Sequence, residues 1–295
     1  MQRSDRHVAR DISYASAVAN RGGRVLVRTM ENVTGRLKLI RQAKGYDREV
    51  AEGRDFWQVM AERYRLGLEV TKGSLSDIPA EGPVVVVANH PYGILDGMMM
   101  GLILSERRGG DFRVLAHQVF RRSADLERVI LPISFDETKE GARLNLETRA
   151  EAIRYLKQGG AIGIFPGGTV STAHRGFDRP LDPMWRNFTA KMVAKSGATV
   201  VPLYFDGQNS RLFQLASRLH YTLRMGLLIR EFCARVGSRV KVAVGAPISP
   251  QELAPYASDP KAMMDFLRER TYALSERPDG TNRLGFEFEA KYRKR

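Results

Sequence analysis

The chain has 295 residues, of which 43% are apolar and 27% charged, a composition that permits a large buried core and excludes a mostly disordered chain. Its 47 basic and 33 acidic residues give a formal charge of +14, which favours an anionic partner such as nucleic acid, anionic lipid or an acidic carrier protein. The single cysteine, Cys233, excludes an internal disulfide and fits a reducing compartment.

Residues 1–80 are predicted to form a basic, amphipathic helical element. Between Arg24 and Lys44, apolar residues recur at helical spacing with arginines and lysines around them. A second helix is predicted from Arg48 to Leu68, before a loop that contains Gly73 and Pro79. One domain with a helical appendage and two separate domains both suit a chain of this length.

From Gly82 onward the pattern predicts an α/β domain over residues 81–276. The run from Pro83 to Ala88 is β-branched and continuous, as expected of a strand buried on both faces. Further strands are predicted at Phe112–Ala116, Val129–Phe135, Ala161–Phe165, Thr199–Phe205 and Val240–Val244, and helices at Leu95–Glu106, Arg143–Lys157 and Trp185–Ser196. This alternation predicts a mostly parallel sheet flanked by helices.

Membrane association, where it occurs, is expected to be peripheral. A spanning helix needs roughly 20 apolar residues, whereas the longest apolar run ends at Leu104 and contains Asp96. Leucines share one stripe of the basic stretch Leu212–Arg235, which suits a helix lying in a bilayer interface or one packed on the core. The polar tail over residues 277–295 fits a solvated terminus or a patch that binds lipid head groups.

The first segment with catalytic chemistry is Val87-Ala-Asn-His-Pro-Tyr-Gly-Ile-Leu-Asp-Gly97. A buried strand ends at Asn89 and His90, and loops at the carboxyl ends of parallel strands are where open α/β sheets place their sites. Histidine exchanges protons near neutral pH, and a carboxylate such as Asp96 can fix its tautomer and orient it. The alternative is structural: His90 merely ends the strand and Asp96 caps the next helix.

The second segment, Ile164-Phe-Pro-Gly-Gly-Thr-Val-Ser171, also follows a buried strand. Consecutive glycines allow close approach of a ligand to the backbone, whose N–H groups can form an anion site. Thr169 and Ser171 add hydroxyl donors. An ordinary glycine turn is the alternative interpretation.

Together the two segments resemble the signature blocks of the lysophospholipid acyltransferase family, the 1-acylglycerol-3-phosphate O-acyltransferases. That family has Asn-His, four residues and Asp, followed later by Phe-Pro-Glu-Gly-Thr-Arg-Ser. The resemblance extends from about Gly82 to Pro250. It implies an α/β fold with an N-terminal membrane-docking element, and acyl transfer from acyl-CoA or acyl carrier protein to a lysolipid hydroxyl. His90 would be the base, Asp96 its partner, and the substrate-binding residues Asn89, Phe165, Pro166, Gly167, Gly168, Thr169 and Ser171.

The chain departs from the family pattern in three places. Five residues separate His90 from Asp96, as in a bacterial branch that includes ornithine-lipid O-acyltransferases and haemolysin-like acyltransferases. Gly167 and Val170 stand where the family has Glu and Arg, residues associated with holding the acceptor's phosphate. Losing the arginine removes an anion clamp, which suggests a lyso-aminolipid acceptor. Arg121, Arg122 or Arg175 is expected to replace the lost cation.

The expected activity is therefore one-step O-acyl transfer in membrane lipid biosynthesis, at the cytoplasmic face of the inner membrane. Lysophosphatidic acid or another lysophospholipid remains the alternative acceptor.

No Gly-x-Ser-x-Gly elbow, paired Cys/His spacing or phosphate loop is present, so neither an acyl-enzyme nor a metal or other cofactor is expected. Backbone N–H groups near Gly167–Thr169 or at the helix start are candidates for oxyanion stabilisation.

The alternative outside this class is a basic nucleic-acid- or lipid-binding protein without catalysis. No nucleic acid is expected as a partner, because the basic runs lack interleaved aromatic residues. His117 and His174 are candidate supporting groups, whereas His7 and His220 are expected to be incidental.

Overall fold

The computed structural model describes residues 13–18, 20–122, 124–134, 138–175, 178–277 and 283–288. His7 and most of the basic tail over residues 277–295 lie outside the described residues, as does the side chain of Arg122.

A seven-stranded sheet forms the centre of the fold. Its strands are β1 (Gly67–Lys72), β2 (Val84–Ala88), β3 (Phe112–His117), β4 (Ile130–Ile133), β5 (Ala161–Ile164), β6 (Thr199–Asp206) and β7 (Arg239–Val244). They lie in the order β1-β7-β6-β2-β5-β3-β4. The five strands from β6 to β4 are parallel, whereas β7 pairs antiparallel with β6 and parallel with β1. The predicted mostly parallel α/β sheet is confirmed.

Helices cover both faces of the sheet because its central strands are apolar on both sides. The helices are α1 (Arg21–Glu31), α2 (Leu37–Ala43), α3 (Tyr46–Ala51), α4 (Phe56–Arg63), α5 (Ile94–Arg108), α6 (Ala124–Glu127), α7 (Lys139–Lys157), α8 (Asn187–Ser196), α9 (Arg211–Leu219), α10 (Tyr221–Cys233), α11 (Pro250–Leu253) and α12 (Pro260–Tyr272). Val84 and Val86 of β2 pack towards α4, α5 and α10. Val85 and Val87 pack towards α7, α8 and α12. The core is thus divided between two apolar layers.

The N-terminal 80 residues differ from the prediction in three ways. The single helix predicted from Arg48 to Leu68 is divided into α3 and α4, with residues 52–55 between them. The single helix predicted from Arg24 to Lys44 is broken between α1 and α2, where Gly35 adopts φ 128°, a conformation that favours glycine. Residues 67–72, predicted as a helix end and a loop, form β1 instead. This assignment was wrong because β1 owes its structure to pairing with the distant β7 rather than to a local pattern.

The basic stretch Leu212–Arg235 forms two helices with different surroundings. In α9 the core-facing positions are Phe213, Gln214, Ala216 and Ser217, so the leucine stripe points outward: Leu212, Leu215 and Leu219 are 49%, 59% and 69% exposed. In α10 the apolar residues are mostly buried. Of the two alternatives, packing on the core therefore holds for α10 and not for the leucines of α9.

None of the helices within the described ranges is long and apolar enough to cross a bilayer. The sheet register brings the two sequence motifs together, because Val87 of β2 pairs with Ile164 of β5. Asn89 and His90 therefore leave the sheet beside Phe165 and Pro166, at the carboxyl edge of two adjacent parallel strands.

Candidate active site

His90 and Asp96 form a close pair at the start of α5. The Nδ1 atom of His90 lies 3.0 Å from Oδ2 of Asp96, although the ring N–H is not aligned well enough for a directional hydrogen bond. Catalytic hydrogen bonds are often misaligned before a substrate binds. Since Asp96 lies at Nδ1, the other ring nitrogen, Nε2, is the one available to a substrate hydroxyl.

Asp96 is completely buried and also holds the turn that carries His90. Its Oδ2 accepts hydrogen bonds from the backbone N–H groups of Tyr92 at 2.7 Å and Gly93 at 2.9 Å. Burial raises the pKa of this carboxyl group, while contacts with His90 and these two N–H groups oppose the rise. Asp96 therefore caps the helix and orients the histidine, the double role that the sequence allowed.

The second motif forms one wall beside the imidazole. The ring of Phe165 stacks on His90 with a centroid distance of 4.3 Å and an interplanar angle of 24°. The N–H of Ser171 donates to the His90 carbonyl oxygen at 2.7 Å. The N–H of Gly168 donates to the Phe165 carbonyl oxygen at 3.0 Å, so this candidate oxyanion donor is already engaged within the turn.

A buried carboxylate, Asp182, joins the two motifs. Its Oδ1 accepts from the His90 N–H at 3.1 Å and from the Ser171 hydroxyl at 2.5 Å. Its Oδ2 accepts from the indole N–H of Trp185 at 3.0 Å. Sequence reasoning missed Asp182, which lies outside both motifs; its position between two prolines and near a tryptophan gave no distinctive pattern.

A largely apolar cavity of about 840 Å³ opens beside His90 and the second motif. It runs from Phe165 along the carboxyl edge of β3 and β4, and between α4, α5 and α10. His90 thus faces a space large enough for a hydrocarbon chain, lined by apolar side chains that include Trp57, Met60, Met98, Val114, Ile130, Met225, Leu228 and Phe232.

Residues 52–281 match the model of the acyltransferase family, which is well over half of the chain. The chain belongs to this family. It is therefore an acyltransferase, and the family prediction made from the two motifs is confirmed.

Two relatives named lyso-glycine lipid O-acyltransferase, from Phocaeicola vulgatus and Bacteroides thetaiotaomicron, are each 25% identical to the acyltransferase over 228 residues. The matched region is 75% of this chain and 78% and 80% of the two relatives. A solved structure, the 1-acyl-sn-glycerophosphate (LPA) acyltransferase PlsC from Thermotoga maritima, has 15% sequence identity and a TM-score of 0.43, and the match covers 85% of this chain and 94% of that one.

Two predicted substrate contacts of the acyltransferase have structural roles instead. Asn89 is buried, and its side-chain amide donates to the Phe205 carbonyl oxygen at 2.9 Å and accepts from the Phe205 N–H at 2.7 Å. It therefore ties the end of β2 to β6. Ser171 is buried and directs its hydroxyl at Asp182. Neither residue lines the cavity, and neither does Gly167, whereas Phe165, Pro166, Gly168 and Thr169 do.

The predicted replacement cations do not reach this cavity where the structure describes them. Arg121 and Arg175 are exposed and lie outside the cavity lining, and the side chain of Arg122 is not described. The guanidinium that donates to the second motif belongs to Arg224 of α10, which sequence reasoning did not single out within the basic stretch Leu212–Arg235. The local pattern does not reveal that Arg224 is buried, because this depends on how α10 packs with the Arg224 side of the helix towards the cavity.

The described histidines outside the motif lie in different surroundings. His117 lines the cavity, as its candidate role requires, whereas His174 is exposed. The ring of His220 accepts the N–H of Thr222 at 3.1 Å and so caps α10.

Proposed function

We propose that this enzyme transfers a fatty acyl group from an acyl thioester to the hydroxyl of a lysolipid. The single observation that carries this proposal is the His90–Asp96 pair, 3.0 Å apart, in the wall of an apolar cavity. An alcohol becomes a good nucleophile only when a base removes its proton. The apolar lining of the cavity provides a site that can bury the hydrocarbon chains of both substrates.

In the proposed reaction, Nε2 of His90 accepts the proton of the acceptor hydroxyl as its oxygen attacks the thioester carbonyl carbon. Asp96 stabilises the imidazolium through Nδ1. The tetrahedral intermediate collapses, the C–S bond breaks, and the leaving thiolate takes the proton from His90. The products are an O-acyl ester and a free thiol, carried either by CoA or by acyl carrier protein. This step forms no acyl-enzyme, because the acceptor oxygen attacks the thioester directly, and Cys233 is not part of the cavity lining.

We infer that the acceptor is a lyso-aminolipid. Val170 removes the arginine that is associated with phosphate in the wider family, which is the chain's own departure from that pattern. The names of the two relatives, which refer to lyso-glycine lipid, support an amino-acid head group. An ornithine-type head group belongs to the same chemical class.

We infer that the enzyme docks peripherally on an anionic membrane, at the cytoplasmic face of the inner membrane. The leucines of α9 are exposed next to Arg211 and Arg218, a combination that suits insertion into an anionic interface. Tyr221, the first residue of α10, is both half exposed and part of the cavity lining. This arrangement supports lipid entry to the cavity from the side of the exposed leucines.

The test is an acceptor panel that includes lyso-glycine, lyso-ornithine and lysophosphatidic acid, each with acyl-CoA and acyl-carrier-protein donors. Product formation is followed by mass spectrometry of the ester, and thiol release by a colorimetric reagent. We expect ester formation with an amino-acid lysolipid and stoichiometric thiol release. Thioester hydrolysis without ester formation on every acceptor would reject the proposal. A preference for lysophosphatidic acid would retain the reaction and reject the aminolipid assignment.

A further inference from the structure

Arg224 lies within the cavity wall, next to the second motif. Its side chain is 1% exposed and it belongs to the cavity lining. One guanidinium nitrogen, Nη2, donates to the Thr169 hydroxyl at 2.8 Å and to the Val170 carbonyl oxygen at 2.7 Å. The other, Nη1, donates to the Thr172 hydroxyl at 2.7 Å. Arg224 thus contacts the motif at the position where the related families carry an arginine of their own.

The charge of Arg224 is not balanced by any carboxylate within ion-pairing distance among the described residues. Its partners are two hydroxyls and one carbonyl oxygen, all uncharged. An arginine has five N–H donors, and these three contacts use three of them. The Nε–H and the second N–H of Nη1 therefore have no acceptor among the described residues. Burial lowers the pKa of Arg224 to about 10, which leaves the group protonated near neutral pH.

Two aromatic rings fix the plane of this guanidinium. Its central carbon lies 4.3 Å from the centroid of Phe288 and 5.2 Å from that of Phe213, distances typical of cation–π contacts. A buried cation costs free energy unless an anion or several hydrogen bonds compensate it. A fixed, buried and unneutralised cation in the wall of the same cavity as His90 is therefore better explained by an anionic ligand than by structure alone.

The hydroxyl of Thr169 supplies a second donor at the same place. Because its oxygen accepts from Arg224, its own hydrogen remains available to a ligand, and Thr169 also lines the cavity. Ser171, two residues after Thr169, donates its N–H to the His90 carbonyl oxygen. An anion held at Arg224 and Thr169 would therefore lie in the same cavity as His90.

We propose that Arg224, assisted by the Thr169 hydroxyl, binds the carboxylate of the acceptor's head group. This inference rests on the proposed function. An amino acid joined to a fatty acid through its α-amine keeps its α-carboxylate, so such a lysolipid presents an anion near its reacting hydroxyl. Arg224 then selects and positions the acceptor. This is the role that the family associates with the motif arginine, which Val170 replaces here.

The experiment compares a lysolipid that has a free glycine carboxylate with its methyl ester, using the full-length enzyme and the same acyl donor. A hydrogen bond to a charged group contributes about 1.5–3 kcal/mol, or roughly 10- to 150-fold. We expect wild-type kcat/KM to favour the carboxylate by a factor in that range. In Arg224→Met the preference should fall to about threefold or less, mainly through a higher KM for the carboxylate.

Arg268→Met is the matched control, since Arg268 is also buried, lies over the ring of Tyr272 and is outside the cavity lining. It should keep the wild-type preference. Equal wild-type activity on carboxylate and ester would overturn the inference while leaving acyl transfer intact, even if Arg224→Met fails to fold. Arg224-dependent preference for lysophosphatidic acid would overturn the carboxylate assignment. Absence of transfer to every lysolipid would instead reject the proposed function.

Discussion

The side chain of Asp182 occupies the space that a side chain at Gly167 would need. A Cβ atom on Gly167 would come within 3.2 Å of Asp182 Cβ and 3.4 Å of its Oδ2. The related motif has a glutamate at this position, whereas this chain has Gly167 with the carboxylate of Asp182 next to it. In the same way, Arg224 lies against the main chain of Val170, where the motif has its arginine.

This relationship predicts that substitutions at residues 167 and 182 have non-additive effects on the free energy of unfolding. Gly167→Glu should lower the free energy of unfolding by about 1–3 kcal/mol through overpacking. Asp182→Ala should cost at least about 1–3 kcal/mol because the His90 N–H and the Trp185 indole lose their acceptor. The double variant should lose less than the sum, as measured by urea denaturation in a double-mutant cycle.

Gly22→Glu is the control for this cycle. Gly22 is exposed on α1, and the nearest atom to an added Cβ is Asn20 Oδ1 at 3.8 Å. Its effect should add to that of Asp182→Ala within about 0.5 kcal/mol. Full additivity of Gly167→Glu with Asp182→Ala would show that Asp182 does not fill the place of a motif glutamate.

Asp96→Asn should separate activity from stability. With its oxygen at the position of Oδ2, the amide still accepts from the N–H groups of Tyr92 and Gly93, but it lacks the negative charge that stabilises the His90 imidazolium. Activity should fall by about 10²–10⁴-fold. Both oxygens of Asp96 are buried, and its raised pKa means that the ionised form is less favourable in the folded chain than in the unfolded chain.

The sign of the stability effect follows from that direction. The cost of ionised Asp96 is absent below the ordinary carboxyl pKa of about 4 and grows as the pH rises through the higher folded pKa. The Asn variant should therefore melt at or above the wild-type temperature at pH 7, and this difference should shrink as the pH is lowered. A variant that melts far below wild type at pH 7 would contradict this account of the buried carboxylate.

The exposed leucines of α9 predict specific membrane binding. Replacing Leu212, Leu215 and Leu219 together with serine should weaken sedimentation with anionic vesicles by at least tenfold, because each buried leucine contributes about 1.5–3 kcal/mol. Transfer to a short-chain, water-soluble acceptor should be nearly unchanged. Leu146→Ser is the control, since Leu146 is 57% exposed on α7. Unchanged vesicle binding, or stronger binding to duplex DNA than to vesicles at physiological salt, would reject the docking surface.

Local sequence patterns predicted most of the sheet and the proximity of His90 to Asp96, because both depend on short-range features. Val84–Ala88 is β-branched and buried on both faces, and His90 and Asp96 lie in one turn that the register sets beside Phe165. Long-range contacts decided the rest. β1 depends on β7, Asp182 joins two loops from outside both motifs, and the buried face of α10 that carries Arg224 looks like an ordinary amphipathic pattern.

The buried part of the cavity should set the preferred acyl length. Val114 is buried on β3 and lines the cavity beside Trp57 and Met98. Val114→Phe should displace the end of a long chain, and each methylene removed from the apolar site costs about 0.8 kcal/mol, or about fourfold in kcat/KM. Competition between donors of different chain lengths should show a shift to shorter chains. An unchanged profile would place the acyl chain elsewhere.

The most direct test of the central claim is the rate of ester formation by His90→Ala with saturating acyl thioester and lysolipid. If His90 removes the acceptor proton, kcat should fall by about 10²–10⁴-fold, with the melting temperature and vesicle binding close to those of the wild type. A His90→Ala enzyme that forms the ester at the wild-type rate would contradict the assignment of His90 as the base.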